Sequence, residues 1–234
     1  MYKRQTRIKA VLIDDNFQTI ASGDYSWASH LEDGLWSYTT EEIWGGLQSA
    51  YASMANDVET AYGEKLTHVG HIGFSAMMHG YLAFDEAGEL LVPFRTWQNT
   101  MTGEAAEQLT AEFGFNIPQR WSIAHLYQAV LNGEAHVKNI AHITTLAGYV
   151  HYLLTGENVL GVGEASGMFP IDSETLDYDA AMLEKFDALL AKYGFAWTAR
   201  SVLPNSLKTE IVMTMDLREL SLIHISEPTR LRCI

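Results

Sequence analysis

Residues Gly73–Gly80 read GFSAMMHG. The overlapping run His68–Ser75 (HVGHIGFS) mixes apolar, branched and small residues and predicts a buried strand. Two methionines, His79 and Gly80 then stand where that strand leaves the core, the usual place for a site in an open α/β sheet. A glycine there lets backbone and ligand come close. A neutral imidazole can donate to a ligand hydroxyl or accept from it. Two readings of His79 stay open on these residues alone: a ligand-facing side chain, or a structural histidine satisfied inside the fold.

Working outward, Gly80–Phe84 and Glu89–Val92 bracket Asp85–Gly88 (DEAG), a turn signal, so a hairpin is expected. Upstream, Thr39-x-x-Glu42 is a capping box. Behind it Trp44, Leu47, Tyr51, Met54, Val58 and Ala61 recur at helical spacing up to Gly63 and are expected to form the core face of a helix over 40–62. Further upstream, Arg7–Asp14 (RIKAVLID) and Thr19–Trp27 read as two strands joined by a turn at Asp15-Asn16. Downstream the pattern turns helical, over 102–113, 122–131 and 138–154. Met182, Phe186, Leu189 and Tyr193 mark another helix, closed by Gly194. This order predicts an α/β domain, a mixed β-sheet flanked by helices.

Composition bounds the function classes. The chain has 234 residues, 47% of them hydrophobic and 19% charged, enough for one substantial core. Its longest apolar runs are too short to span a bilayer, so no membrane partner is expected. The one cysteine, Cys233, excludes an internal disulfide and a cysteine-based zinc site, and a reducing cytoplasmic setting fits. The formal net charge is −14, and basic residues crowd the first nine positions and the last seventeen. The body between them is strongly acidic and would repel a phosphate backbone, so nucleic acid is not an expected partner.

Other constellations are less specific. Arg95–Asn99 (RTWQN) offers an indole, two amides and a guanidinium within one loop. Such groups stack on the apolar face of a sugar and bind its hydroxyls, but they equally suit a polar loop with a half-buried tryptophan. Gly161-x-Gly163-x-x-x-Gly167 lacks the spacing of a dinucleotide fingerprint and reads as a loop for close packing. His68 and His71 would face opposite sides of a strand, and His136, His142 and His151 are too irregular to share one metal ion. The acidic pairs Glu41-Glu42 and Asp85-Glu86 suit a helix start and a turn, so an acid/base hydrolase is disfavoured.

At these residues the chain resembles the FGGY carbohydrate kinases. RIKAVLID resembles the end of their phosphate-loop hairpin, GFSAMMHG the strand with a Met-His-Gly segment, and VPFRTWQN the Pro…Trp-x-Asp segment. HYLLTG (His151–Gly156) and EASGMFPID (Glu164–Asp172) resemble the stretch that follows. The resemblance implies an actin-like, ribonuclease H-like ATPase N-terminal domain. It implies transfer of the γ-phosphoryl group of ATP, with Mg²⁺, to a hydroxyl of a pentulose-like sugar or a polyol. Met78, His79, Trp97 and Asn99 would then line the substrate site. Thr6 and Lys9 would face the nucleotide phosphates. A homodimer of the full-length enzyme is compatible with it.

The departures from the pattern are local. Asn99 stands where the family usually has aspartate, His125 where it has lysine, and Gln128 where it has tryptophan. MYKRQ (Met1–Gln5) replaces the acidic residue and glycine that open the phosphate loop, so the first strand is expected to be missing. Leu220–Arg230 (LSLIHISEPTR) looks like a translated sequencing-adapter stretch, with MYKRQ as its counterpart. Residues 1–5 and 220–234 are therefore read as extraneous, 6–205 as the sugar-binding domain, and the character of 206–234 is left open. No catalytic residue is assigned, because the general-base aspartate is expected in a second domain. The rival reading is a non-catalytic sugar- or protein-binding module on the same fold. Phosphoryl transfer depends on positioning and charge neutralisation across a closed cleft. The 234-residue polypeptide alone is accordingly expected to show no sugar-dependent ATP consumption in a coupled assay. Turnover above the sugar-free blank would contradict this.

Overall fold

In the computed structural model, residues 6–195 and 197–207 are described. They form two compact units: residues up to Ala28 with Glu41–Gly73, and Ser29–Thr40 with the chain from Phe74 on. The expectations for Met1–Gln5, for a strand before Thr6 and for 220–234 lie outside the described residues.

In the first unit, β1 (Thr6–Ile13) pairs antiparallel with β2 (Thr19–Trp27), from Thr6 opposite Trp27 to Leu12 opposite Ala21. The turn is held by the Asp14 carboxylate, whose Oδ1 accepts from the Asn16 and Gln18 amides at 2.9 and 2.8 Å. Helix α1 (Thr40–Tyr62) stops at Gly63, in the left-handed region at φ 72°. Its buried face is Ile43, Gly46, Ala50, Met54 and Val58. This corrects the expected stripe: Trp44 and Tyr51 are 37% and 45% exposed. The reason is steric. A Cβ on Gly23 of β2 would stand 2.3 Å from the Met54 amide and 2.4 Å from the Ala50 carbonyl. So close an approach of helix to hairpin favours small residues on the helix face, and the large aromatics turn outward.

The second unit begins with the hairpin β3 (His30–Glu32) and β4 (Leu35–Ser37). The expected strand His68–Ser75 is not formed. Residues 64–79 are irregular, and Ile72 is 66% exposed. A strand needs a partner backbone, and none among the described residues pairs with this run. Regular structure resumes at β5 (Leu82–Phe84). The Asp85–Gly88 turn forms as expected, with the Asp85 carboxylate accepting from the Ala87 and Glu89 amides. The return arm makes only bridges, Phe84 with Leu90 and Tyr81 with Arg95.

Helices α2 (Gly103–Phe113) and α3 (Ser122–Leu131) follow the expected ranges. The expected helix 138–154 is instead a 3₁₀ turn at Ala135–Asn139, then β6 (His142–Thr144), then α4 (Leu146–Thr155). The branched run Ile143-Thr144-Thr145 breaks the helix. It pairs antiparallel with β5, and Thr145 caps α4 by accepting from the Gly148 amide. Strand β7 (Val159–Gly161), the short α5 (Val162–Ala165), α6 (Ala180–Lys192), the short α7 (Ala199–Val202) and β8 (Asn205–Leu207) complete the unit. Asp179 caps α6 through the Met182 amide, and Gly194 follows its end at φ 80°. The α/β class is as expected, with three antiparallel pairs and the parallel pair β7–β8. Among the described residues these are separate two-stranded pairs rather than one continuous sheet. No helix among them is long and apolar enough to cross a membrane.

The core of this unit surrounds α3, which is buried from Ser122 to Val130 on every side. Tyr127 of α3 meets Phe186 at a ring separation of 5.9 Å, and Phe186, Phe169 and Phe113 continue the aromatic chain at 6.2 and 5.7 Å. His125 lies inside α3 with its ring 6.2 Å from that of Tyr81, and neither ring nitrogen has a protein hydrogen-bond partner. Burial, aided by the charge of Arg95, holds its pKa down at about 3. The unfolded chain takes up this proton near pH 6.5 and the folded chain does not until about 3. Stability is thus complete above pH 6.5 and lost as the pH falls. Urea unfolding between pH 6 and 4 should lose about 1.4 kcal/mol per pH unit through this one group. His125→Phe should flatten that slope, and an unchanged slope would show that the ring does not control it.

Candidate functional site

The segment ending at His79 enters the second unit through a sharp corner. His79 and Gly80 both have positive φ, 69° and 87°. For a histidine this conformation is uncommon and must be held by its surroundings. The Gly80 amide donates to the Arg120 carbonyl at 3.2 Å, and Ser122 Oγ donates to the Gly80 carbonyl. A Cβ on Gly80 would lie 2.8 Å from the Arg95 carbonyl oxygen.

The His79 ring is half-buried and stacks on Trp121, with centroids 6.5 Å apart. Its Nδ1 lies 3.0 Å from the Gly167 carbonyl oxygen. A carbonyl only accepts, so Nδ1 carries the proton and Nε2 presents a lone pair. Burial lowers the His79 pKa and the Arg120 charge lowers it further, against the opposing effect of the Gly167 bond. The imidazole is therefore neutral at pH 7. Gly167 fits closely here: a Cβ on it would stand 2.7 Å from His79 Nδ1 and 3.2 Å from Met78 Cε. The close packing expected of the Gly161–Gly167 stretch is explicit at Gly167, but the stretch is not a loop: it ends β7 and forms α5. Met78 itself is 39% exposed.

Beside this corner an open concavity of about 480 Å³ is lined by Trp97, Asn99, Thr100, Gln119 and Arg120. Arg120 joins the two features, since its carbonyl holds Gly80 and the exposed residue is part of the concavity's lining. Trp97 is 43% exposed and offers an aromatic face. The concavity therefore combines one apolar surface with an amide, a hydroxyl and a guanidinium, a set suited to a small polyhydroxylated molecule.

Two groups of RTWQN face elsewhere. Arg95 is buried, binds both carboxylate oxygens of Glu134 and lies 5.4 Å from the Tyr81 ring centroid. Against the upward push of burial, Arg95 holds the Glu134 carboxyl below the usual range. His136 completes this cluster, with Nε2 2.9 Å from the Tyr81 hydroxyl. Asn99 is also buried. Its Oδ1 accepts from the Trp36 amide at 2.9 Å, and its Nδ2 donates to the Trp36 and Thr96 carbonyls at 2.8 and 3.0 Å. The side-chain amide thus pins β4 to the loop, and the residue lines the concavity while its polar atoms are engaged with backbone. Lys9 is exposed on β1, opposite Asp24, and Thr6 opens that strand opposite Trp27; both belong to the first unit. Arg120, Gln119 and Trp121 were not singled out from sequence. The available signal was an arginine and an indole placed between Pro118 and the apolar run of α3.

Residues 5–193 match the FGGY family of carbohydrate kinases, N-terminal domain, and the chain belongs to that family. A glycerol kinase of Thermococcus gammatolerans is 25% identical over 194 residues, 77% of this chain and 38% of the relative. A ligand-bound xylulose kinase from Lactobacillus acidophilus is structurally similar at a TM-score of 0.68 and 19% identity, over 90% of this chain and 43% of that one. A gluconate kinase from the same organism superposes at a TM-score of 0.67 and 18% identity, over 86% and 40%. The chain spans less than half the length of each of these relatives. The actin-like fold expected from the resemblance is the fold of this group.

The Asn99 geometry explains why an amide stands here. Aspartate would keep the bond to the Trp36 amide but would turn a carboxylate oxygen toward two carbonyls. Asn99→Asp should therefore destabilise the chain at pH 8 by roughly 1–3 kcal/mol. The loss should shrink as the pH falls toward 5, because a carboxyl forced to face acceptors has a raised pKa and is restored by protonation. Asn99→Ala should cost a similar amount at both pH values. Urea unfolding at pH 5 and 8 separates the cases, and equal losses for Asn99→Asp at both would refute the assigned contacts.

Proposed function

We propose that this chain, as a member of the FGGY family, is the sugar-binding part of an ATP-dependent carbohydrate kinase of the cytoplasm. The reaction is transfer of the γ-phosphoryl group to a hydroxyl of a pentulose-like sugar or a polyol. The observation that carries the reading is the junction of the Met78-His79-Gly80 corner with the Trp97 concavity through Arg120.

In this reading the Trp97 indole covers an apolar face of the substrate and Met78 closes the flank. His79 Nε2, unprotonated because Nδ1 is tied to Gly167, accepts a hydrogen bond from a substrate hydroxyl and orients it. Asn99 contributes through the loop it holds. Lys9 is exposed and makes no ion pair among the described residues, so its ammonium can meet a phosphate oxygen. Its fit to ATP is that of a single point charge. Among the described residues no cluster of histidine, cysteine or carboxylate side chains can hold a metal ion, so Mg²⁺ would rely on nucleotide phosphates and on residues elsewhere. When bound, Mg·ATP supplies the phosphoryl group and neutralises its charge.

The test is sugar-dependent ATP consumption by the complete gene product, screened across ketopentoses and polyols. His79→Ala and Trp97→Ala should each raise KM roughly tenfold, as expected for loss of one hydrogen bond or one stacking surface. Sugar binding without ATP consumption would replace the kinase by a binding module. Unchanged KM in both variants would remove these residues from the site.

A further inference from the structure

The charge arrangement around the concavity narrows the substrate class; this rests on the sugar-site reading above. The described residues contain four arginines: Arg7, Arg95, Arg120 and Arg200. Three lie against carboxylates, Arg7 on Asp24, Arg95 on Glu134 and Arg200 near Asp177. Arg120 is the fourth and makes no ion pair among the described residues. The chain carries 29 acidic side chains, yet among the described residues no carboxylate lines the concavity at Arg120. Its exposed guanidinium is thus free of any carboxylate among the described residues and open to a ligand.

Its root is also fixed. The Arg120 carbonyl accepts from Gly80, and the preceding carbonyl, of Gln119, accepts from Thr102 Oγ1. The side chain thus starts from a backbone tied at two successive residues. Its charge reaches His79, the other basic group beside the concavity.

Neutral sugars and polyols need hydroxyl partners and an apolar face, which Trp97, Gln119 and Thr100 already offer. A guanidinium adds something those ligands do not require, a planar fork that matches a carboxylate through two parallel N–H···O bonds. We propose that the substrate is a polyhydroxylated acid, a sugar or polyol chain bearing one carboxylate, and that Arg120 is the residue that selects it. A single guanidinium beside a neutral imidazole balances one negative charge. A phosphate ester dianion would be underbalanced there and would meet the net charge of −14.

The test is calorimetric titration of this chain with a matched five-carbon set: xylulose, xylitol, xylonate and xylulose 5-phosphate. Acetate and inorganic phosphate serve as competitors at constant ionic strength. Xylonate should bind at least tenfold more tightly than xylulose or xylitol, a difference of about 1.4 kcal/mol. Arg120→Gln should abolish that preference, Arg120→Lys should keep part of it, and both should melt like the parent because the side chain is exposed. Tighter binding of xylulose or xylitol, unaffected by Arg120→Gln, would overturn the acid proposal and leave the sugar site standing. Tighter binding of the phosphate ester, or displacement of xylonate by acetate or phosphate alone, would also overturn it. Failure of the whole set to bind would bring down the sugar-site reading as well.

Discussion

Everything near the site depends on the corner at Gly80. Its amide is held by the Arg120 carbonyl and its carbonyl by Ser122 Oγ. Tyr81, next along, exchanges backbone bonds in both directions with Arg95. Three segments separated in sequence are thereby tied within two residues: the run into His79, the loop that carries Trp97, and the start of α3. Burying these backbone groups without partners would cost far more than ordinary packing returns. The left-handed conformations of His79 and Gly80 persist because this lattice over-determines them.

Behind the corner, polar side chains are divided between structure and solvent in a definite way. Arg95, Glu134, His136 and Tyr81 form one connected cluster in the fold. Asn99 ties β4 to the same loop. These groups make the platform rigid, and rigidity is what lets Trp97 and Arg120 be presented at fixed roots. Glu164 belongs to the turn that delivers the Gly167 carbonyl to His79, since the Gly167 amide donates to the Glu164 carbonyl. Burial pushes its carboxyl up to about 6, and Thr145 partly offsets this. The imidazole is thus supported by a turn that itself carries a buried carboxyl.

Much of this was legible along the chain, and the failures share a cause. Helix ends marked by Gly63 and Gly194 fall where the residues indicate, because a left-handed glycine at a helix end is a local requirement. The Asp14 and Asp85 turns are local for the same reason. By contrast, HVGHIGFS has strand composition but no partner, and Ile143-Thr144 lies in a helical pattern but pairs with β5. Pairing is a property of two segments, and one segment read alone cannot supply it. Along α1, Met54 and Val58 are buried as read, while Ile43, Gly46 and Ala50 take the places expected of Trp44, Leu47 and Tyr51, since Gly23 sits on another element and sets how near the helix can come.

The site divides along the same line. The residues alone determined the α/β class and marked Met78-His79-Gly80 and the Trp97 loop as segments of interest, because each rests on short-range chemistry and on a recognisable order of segments; the corner itself replaced the strand end they suggested. Only the tertiary structure decided which polar groups are free. It engaged Arg95 and Asn99 inside the fold and left Arg120 exposed in the lining of the concavity, because a side chain's partners come from segments far away in sequence, and electrostatic satisfaction is settled only when those segments meet.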